Sequence, residues 1–161
     1  MVGTMVLVPQ IVDAVRVPVV AAGGIADGRG IAAAFALGAS GVQMGTAFLA
    51  CPEATVPPLY RAQLQAATDE ITELTRAFTG RPARAMRNRF VTEMADTAPL
   101  DFPLQASLTA PLSRLPDDVA RAAFMPFWAG QAAPLLLSSL PARQLVEKLA
   151  AEAQAIIGNR V

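Results

Sequence analysis

Residues 17–22, VPVVAA, are apolar without a break, whereas a strand with one wet face would alternate polar and apolar side chains. The run therefore predicts a strand buried on both faces of a parallel sheet. Upstream, Ile11, Val12 and Val15 recur at helical spacing within residues 8–15, and Pro9 suits a first helical turn, so a short helix is expected to feed the strand. Behind the strand, Gly23-Gly24 break the run and Asp27 is placed to cap a second helix. Ile31, Ala34 and Phe35 mark its packed face and Gly38 its left-handed stop. Residues 41–45, GVQMG, predict a second buried strand that ends at Thr46 in another glycine-bearing turn. Helix, strand, helix, strand is the order of an α/β fold with a parallel sheet.

From residue 57 to about residue 130 the texture changes: prolines multiply, aromatics appear, and no buried run of the first kind recurs. A mainly helical region is expected, with helices over 57–67, 82–94 and around 103–112, and a short strand over 74–78. Phe124, Met125, Phe127 and Trp128 read as core. Pro141 then opens a last amphipathic helix, with Leu145, Leu149, Ala153 and Ile156 on one face, finishing near Gly158.

Composition narrows the functional classes. A chain of 161 residues that is 53% hydrophobic has the length of one domain and enough apolar content for a sizeable core. Thirteen basic residues balance thirteen acidic ones, so no net field favours nucleic acid or an anionic membrane surface. Histidine is absent, which excludes triads and zinc sites that need it. The single cysteine, Cys51, rules out an internal disulfide, reads as a small buried hydrophobe, and fits a cytoplasmic location. No secretory signal pattern opens the chain. The uncharged stretch between Arg29 and Glu53 is long enough to imitate a membrane span. Gly38-Ala39-Ser40-Gly41 divides it into a helix and a strand instead.

The candidate chemistry lies where the two strands end, at Gly23-Gly24 and at Gly45, because parallel strands end on the same side of a sheet. Glycine lets the backbone approach a ligand, and the amides that follow, aided by a helix N-terminus, can donate to phosphate oxygens. A glycine pair alone suits a tight turn with close helix packing equally well. The tandem favours a phosphate-bearing ligand, since (β/α)8 barrels build phosphate sites from the loops after strands seven and eight. Arg81, Arg84, Arg87 and Arg89 form the densest charge cluster; an anion-attracting role competes there with the plainer reading of a solvated helix face or interdomain salt bridges. Trp128 is expected to pack, and Gln131, beside Gly130, is a candidate to approach a ligand.

LVPQIVDAV, VPVVAAGGIADGRGIAAAFALGASGVQMGTAFL, FTGRPARAMRNRF and FWAGQAAPL, in this order, resemble the C-terminal half of the nitronate monooxygenases, formerly called 2-nitropropane dioxygenases. The first two blocks are also similar to enoyl-[acyl-carrier-protein] reductase II and, more loosely, to barrels like inosine-monophosphate dehydrogenase. The resemblance implies the C-terminal part of a TIM (β/α)8 barrel that binds FMN. Backbone groups at Gly23, Gly24, Gly45 and Thr46 would hold its phosphate, with Ala22 and Ile25 as neighbours and Gln131 as a candidate for the substrate. It further implies that residues 1–56 and 131–161 belong to the barrel and that residues 57–130 form a small inserted, mainly helical domain. The implied chemistry is oxidation of an alkyl nitronate, such as propionate 3-nitronate, by flavin and dioxygen to a carbonyl compound and nitrite.

The family's catalytic histidine sits in a Gly-Gly-His segment ahead of the region matching residues 6–15, and no histidine occurs in this chain. A complete barrel takes about 250 residues and eight strands, against two convincing strands here. The expectation is thus a barrel portion with open apolar strand edges, covered by a missing N-terminal half or by dimerisation, and with weak or no FMN binding by itself. Two alternatives stay open: a flavoprotein like enoyl-[acyl-carrier-protein] reductase II that uses NAD(P)H, and a half barrel, remnant or partner subunit, that performs no chemistry.

Overall fold

Numbered along the chain, the helices of the first unit are α1 (Thr4–Ala14), α2 (Gly28–Ala36), α3 (Thr46–Leu49) and, after an excursion, α8 (Ala142–Gly158); its strands are β1 (Val20–Ala22) and β2 (Gly41–Gln43). The structure is a computed structural model and describes residues 2–136 and 139–159. The chain divides into two compact units, Met1–Val56 with Gln131–Val161, and Pro57–Gly130. Residues 1, 137, 138, 160 and 161 of the expected barrel segments lie outside the described residues.

In the first unit β1 and β2 pair in parallel, Val20 opposite Gly41 and Ala22 opposite Gln43. One side of this ribbon is covered by helices. Val8, Ala21, Ile25, Ile31, Ala34, Ala39, Leu149 and Ala153 form the core there, drawn from α1, β1, α2, α8 and the loops on either side of α2. The other side is open: Ala21 is 1% exposed, but Val20 is 57% and Val17 68% exposed. Here the structure corrects the reading of residues 17–22 as a strand buried on both faces. The strand is three residues long and alternates in burial, because alternate side chains leave opposite faces of a sheet and only one face is covered. Among the described residues neither outer edge of the ribbon has a further strand, as the open-edge expectation required. The second strand likewise stops at Gln43, so Gly45 becomes the N-cap of α3 and not a strand residue.

The first helix begins earlier than the apolar spacing suggested, and Pro9 lies in its interior instead of its first turn. Proline removes the amide that would bond to the Met5 carbonyl, and the helix tolerates this one loss. The stop of α2 follows the sequence. Gly38 has φ +90, and a Cβ there would come within 2.8 Å of Val12 Cγ1, so the turn packs directly on α1.

The second unit contains α4 (Pro58–Gln65), a hairpin of β3 (Thr72–Thr75) and β4 (Ala83–Met86), α5 (Arg89–Glu93), α6 (Leu104–Thr109) running into a 3-10 turn over Ala110–Arg114, and α7 (Asp118–Phe124). The expected helix over 82–94 is replaced by β4 and α5. Ala83-Arg84-Ala85-Met86 is a good helix former by composition, but its backbone bonds are taken by β3, and Ala85 is bridged on its other side by Trp128. The expected strand over 74–78 shifts to Thr72–Thr75, and Phe78 turns into the core with Ala85 and Val91. Trp128 packs edge-on against Phe78 at 5.4 Å, and Tyr60 donates its hydroxyl to the Trp128 carbonyl at 2.5 Å. Burial pushes the Tyr60 phenol up to about 12, so it stays neutral. Gln105, the buried polar side chain of this unit, donates to Ala77 O at 2.6 Å and accepts from the Leu100 amide at 3.1 Å. Helix α7, not foreseen from the apolar pattern, is capped by Asp117, whose carboxylate accepts from the Ala120 amide. Among the described residues no helix is long and apolar enough to cross a membrane.

The tightest helix contact in the first unit is at Gly28, where an added Cβ would lie 2.3 Å from Glu152 Cβ and 2.7 Å from the backbone nitrogen of Ala153. Because α8 backbone itself blocks the space, Gly28→Ala is expected to destabilise the chain by about 2–3 kcal/mol, in the range of an overpacked core. Gly30→Ala meets Ile25, its Cγ2 at 3.2 Å and its Cα at 3.4 Å, and should cost clearly less. Urea denaturation of the two variants beside the wild type checks the ranking.

Candidate functional site

The two glycine-bearing strand ends are brought side by side by the parallel pairing of β1 and β2. Gly23 and Gly24 have φ of +92 and +75, a conformation that L side chains rarely adopt, so glycine is demanded by the backbone itself at both positions. The surroundings differ. A Cβ on Gly23 would sit 3.3 Å from Thr4 Oγ1, whereas a Cβ on Gly24 or on Gly45 would meet nothing within 4 Å. Open space above two adjacent backbone turns is what a ligand reaching for the main chain needs.

Ala22, Gly23, Gly24 and Gly45 are exposed and Thr46, the first residue of α3, is half-buried, so five of the expected positions line one edge of the sheet. Ile25 differs. Its side chain is buried in the core with Ile31 and Ala21, and only its backbone remains toward that edge. Gln131 is exposed at the start of the returning segment, and among the described residues no hydrogen bond ties it to the glycines.

The amides of α2, which the sequence offered to a phosphate, are already engaged. Asp27 Oδ1 accepts from the Arg29 amide at 2.9 Å and the Gly30 amide at 3.2 Å, and Glu152 Oε2, reaching over from α8, accepts from the Gly28 amide at 3.0 Å. Two carboxylates thus occupy this helix end, where the partial positive charge of the helix would otherwise draw an anion. Lys148 stands 3.8 Å from the other Glu152 oxygen, and Arg29 closes a 2.6 Å ion pair with Asp27. The Arg29 guanidinium beside it, helped by the Gly30 and Arg29 amides and opposed by partial burial, holds the Asp27 carboxyl below its ordinary value of 3.8. A phosphate at this edge is therefore left the loop backbones at Gly23, Gly24, Gly45 and Thr46.

Glu152 and Thr4 were missed from sequence. Each contacts the glycine segment across a long separation, Glu152 over 124 residues and Thr4 over 19, and neither belongs to a recognisable motif. A cavity of about 490 Å3 lies behind the α2 end, walled by Ala26, Asp27, Ala47, Leu149 and Glu152 among others, but the strand-end glycines are not among its walls. Within the second unit the four arginines serve structure. Arg81 stacks 4.0 Å over the Phe102 ring, Arg84 donates to Thr72 O at 3.0 Å, Arg87 pairs with Glu73 at 2.8 Å and Arg89 with Glu93 at 2.6 Å. Two of the four thus make ion pairs, both inside the second unit and not between domains, and the helix the cluster was expected to lie on is partly strand.

Comparison with known proteins gives a consistent picture. The sequence profile named nitronate monooxygenase matches residues 1–152. A probable nitronate monooxygenase of Staphylococcus saprophyticus is 41% identical over 162 residues, 99% of this chain and 45% of that protein; one of Staphylococcus aureus strain Newman is 41% identical over 152 residues, 92% and 42%. Among solved structures, a nitroalkane oxidase from Streptomyces ansochromogenes superposes with a TM-score of 0.92 at 43% identity, covering 99% of this chain and 46% of that one. FabK from Thermotoga maritima superposes with 0.83 at 38% identity, covering 99% and 51%. The chain spans about half the length of the curated relatives it matches.

Two measurements probe this edge. Asp27 stabilises the fold while ionised, and because its pKa is depressed, that contribution is complete above the unfolded value and fades as pH falls through the lower folded value. The urea-midpoint difference between wild type and Asp27→Asn is expected to stay constant from neutral pH down to about pH 5 and to shrink below about pH 4. Gly45 has φ −94 and open space at its Cβ position, so Gly45→Ala should alter stability by less than about 0.5 kcal/mol. The methyl would nonetheless intrude on a ligand at the edge. A matching denaturation curve with a weakened response to FMN or phosphate is the expected pair of results.

Proposed function

The chain belongs to the nitronate monooxygenase family, and on that premise we propose that it carries the FMN-phosphate end of a TIM-barrel enzyme that oxidises alkyl nitronates, such as propionate 3-nitronate, with dioxygen to a carbonyl compound and nitrite. The observation that carries the reading is the open space at Gly24 and Gly45 on neighbouring parallel strand ends. These residues fit the group. A phosphate needs several amide donors and no intervening side chain, and the edge supplies backbone at Gly23, Gly24, Gly45 and Thr46 with two glycines facing empty space. Bound FMN would supply the electron transfer. The chain's own part is to anchor the phosphate, and so to hold the flavin on the sheet edge, with Ala22 and the Ile25 backbone beside it. Gln131 is a candidate for contact with the anionic substrate.

The first unit then acts as the barrel segment and the second, residues 57–130, as the insertion. The chain has no histidine, so a general base of that type would come from a barrel portion outside these 161 residues. A second reading, an enoyl-[acyl-carrier-protein] reductase II that takes hydride from NAD(P)H, is favoured by the FabK likeness. A non-catalytic half barrel, acting as partner subunit, is a third.

Flavin fluorescence quenching by the purified chain is expected to show weak FMN binding, since among the described residues this sheet has two strands against the eight of a complete barrel. Stoichiometric, tight binding by a monomer would show that the remaining barrel is unnecessary and sink this part of the reading. Co-expression with a chain covering the other half of the Staphylococcus relatives should restore oxygen uptake that depends on propionate 3-nitronate. Flavin reduction by NADPH without nitronate turnover would instead select the reductase.

A further inference from the structure

The backbone at the strand end is oriented by a side chain from α1. Thr4 Oγ1 lies 2.8 Å from the Gly23 carbonyl oxygen and 3.1 Å from that of Ala22, so one hydroxyl proton serves two consecutive carbonyls, the Gly23 one most closely. In a trans peptide the C=O and the following N–H point in opposite directions. A carbonyl of Gly23 held toward Thr4 therefore turns the amide of Gly24 away from it, and the carbonyl of Ala22 does the same for the amide of Gly23. Glycine at positive φ allows these peptide planes more orientations than other residues would, and the Thr4 hydroxyl bonds favour one of them.

We propose that Thr4 is a positioning residue for phosphate: by anchoring the Ala22 and Gly23 carbonyls it aims the Gly23 and Gly24 amides together at the open side of the sheet edge. Its placement is suited to this. Thr4 is the first residue of α1, its hydroxyl reaches a segment 18 and 19 residues away, and that segment is the one whose geometry only glycine can adopt. With α2 closed to an anion by Asp27 and Glu152, these two amides make up half of the four backbone positions assigned to the phosphate. The inference rests on the phosphate-edge reading above and assigns its preorganisation to one hydroxyl.

The test follows the Gly23 and Gly24 amide signals of the 15N-labelled chain by NMR while inorganic phosphate, FMN or riboflavin is added; millimolar affinities are readable this way. In the wild type both signals should move with phosphate and with FMN and remain still with riboflavin, which lacks the phosphate. Thr4→Val is expected to weaken the phosphate and FMN responses by about tenfold, the value of one hydrogen bond, and Thr4→Ser to restore them to within about twofold. Thr4→Ala, which leaves no branched side chain in the first turn, should fall with Thr4→Val and serves if the valine variant misfolds. If wild-type Gly23 and Gly24 ignore phosphate and FMN, the phosphate-edge reading itself fails. If they respond and both hydroxyl-free variants respond equally well, the edge stands and the role of Thr4 is refuted.

Discussion

At Gly28 the first turn of α2 runs against the middle of α8 with no side chain between them, and the Glu152 carboxylate crosses the contact to accept the Gly28 amide. The first unit depends on this approach. It sets the distance at which Ile31 and Ala34 of α2 meet Leu149 and Ala153 of α8, and those four supply half of the buried cluster. A charge brought this close to a helix end also costs little, because the orphan amides there are donors waiting for an acceptor. Packing and capping are thus one interaction: the missing Cβ that lets the helices touch also lets the carboxylate reach.

The same contact decides what the strand end can do. A bare helix N-terminus directly behind two glycines would be an anion site on its own. With Asp27 on two of its amides and Glu152 on a third, and with Arg29 and Lys148 paired to those carboxylates, the first-turn amides of α2 are already engaged, which leaves the phosphate proposed for this edge the loop backbone between β1 and α2 and across to β2. The loop is competent for that because positive φ at Gly23 and Gly24 turns its peptides outward and Thr4 fixes which groups turn. Side chains remote in sequence, from α1 and α8, therefore shape an edge whose contacting atoms are all main chain.

The second unit works by a different economy. Gln105 is matched inside the unit, between Ala77 and Leu100, and Arg81, Arg84, Arg87 and Arg89 are committed to a ring face, a carbonyl and carboxylates, while the buried Nε of Arg121 has no hydrogen-bond partner. Exposed ion pairs of this kind contribute little to stability individually. They do leave the dense basic stretch 81–89 with stated local partners, and so weaken any reading of it as an anion trap.

Much of the first unit was legible in the sequence, because its signals are local. Asp27 as cap, Gly38 as stop and Gly23-Gly24 as a turn follow from backbone stereochemistry that needs no neighbour, and the α/β order follows from apolar periodicity. The hairpin at Ala83–Met86 was not legible, since helix propensity lost to cross-strand bonds with Thr72–Thr75, a contact the local pattern does not carry. Strand burial was overread for the same reason: VPVVAA states that the side chains are apolar, not how many faces are covered. What sequence alone determined is where glycine and cap residues must stand, because φ and amide donors are properties of single residues. Only the tertiary structure decided that the Gly28 amide of α2 is taken by Glu152 and the glycine loop tied to Thr4, because both depend on contacts across stretches of chain that no local pattern carries.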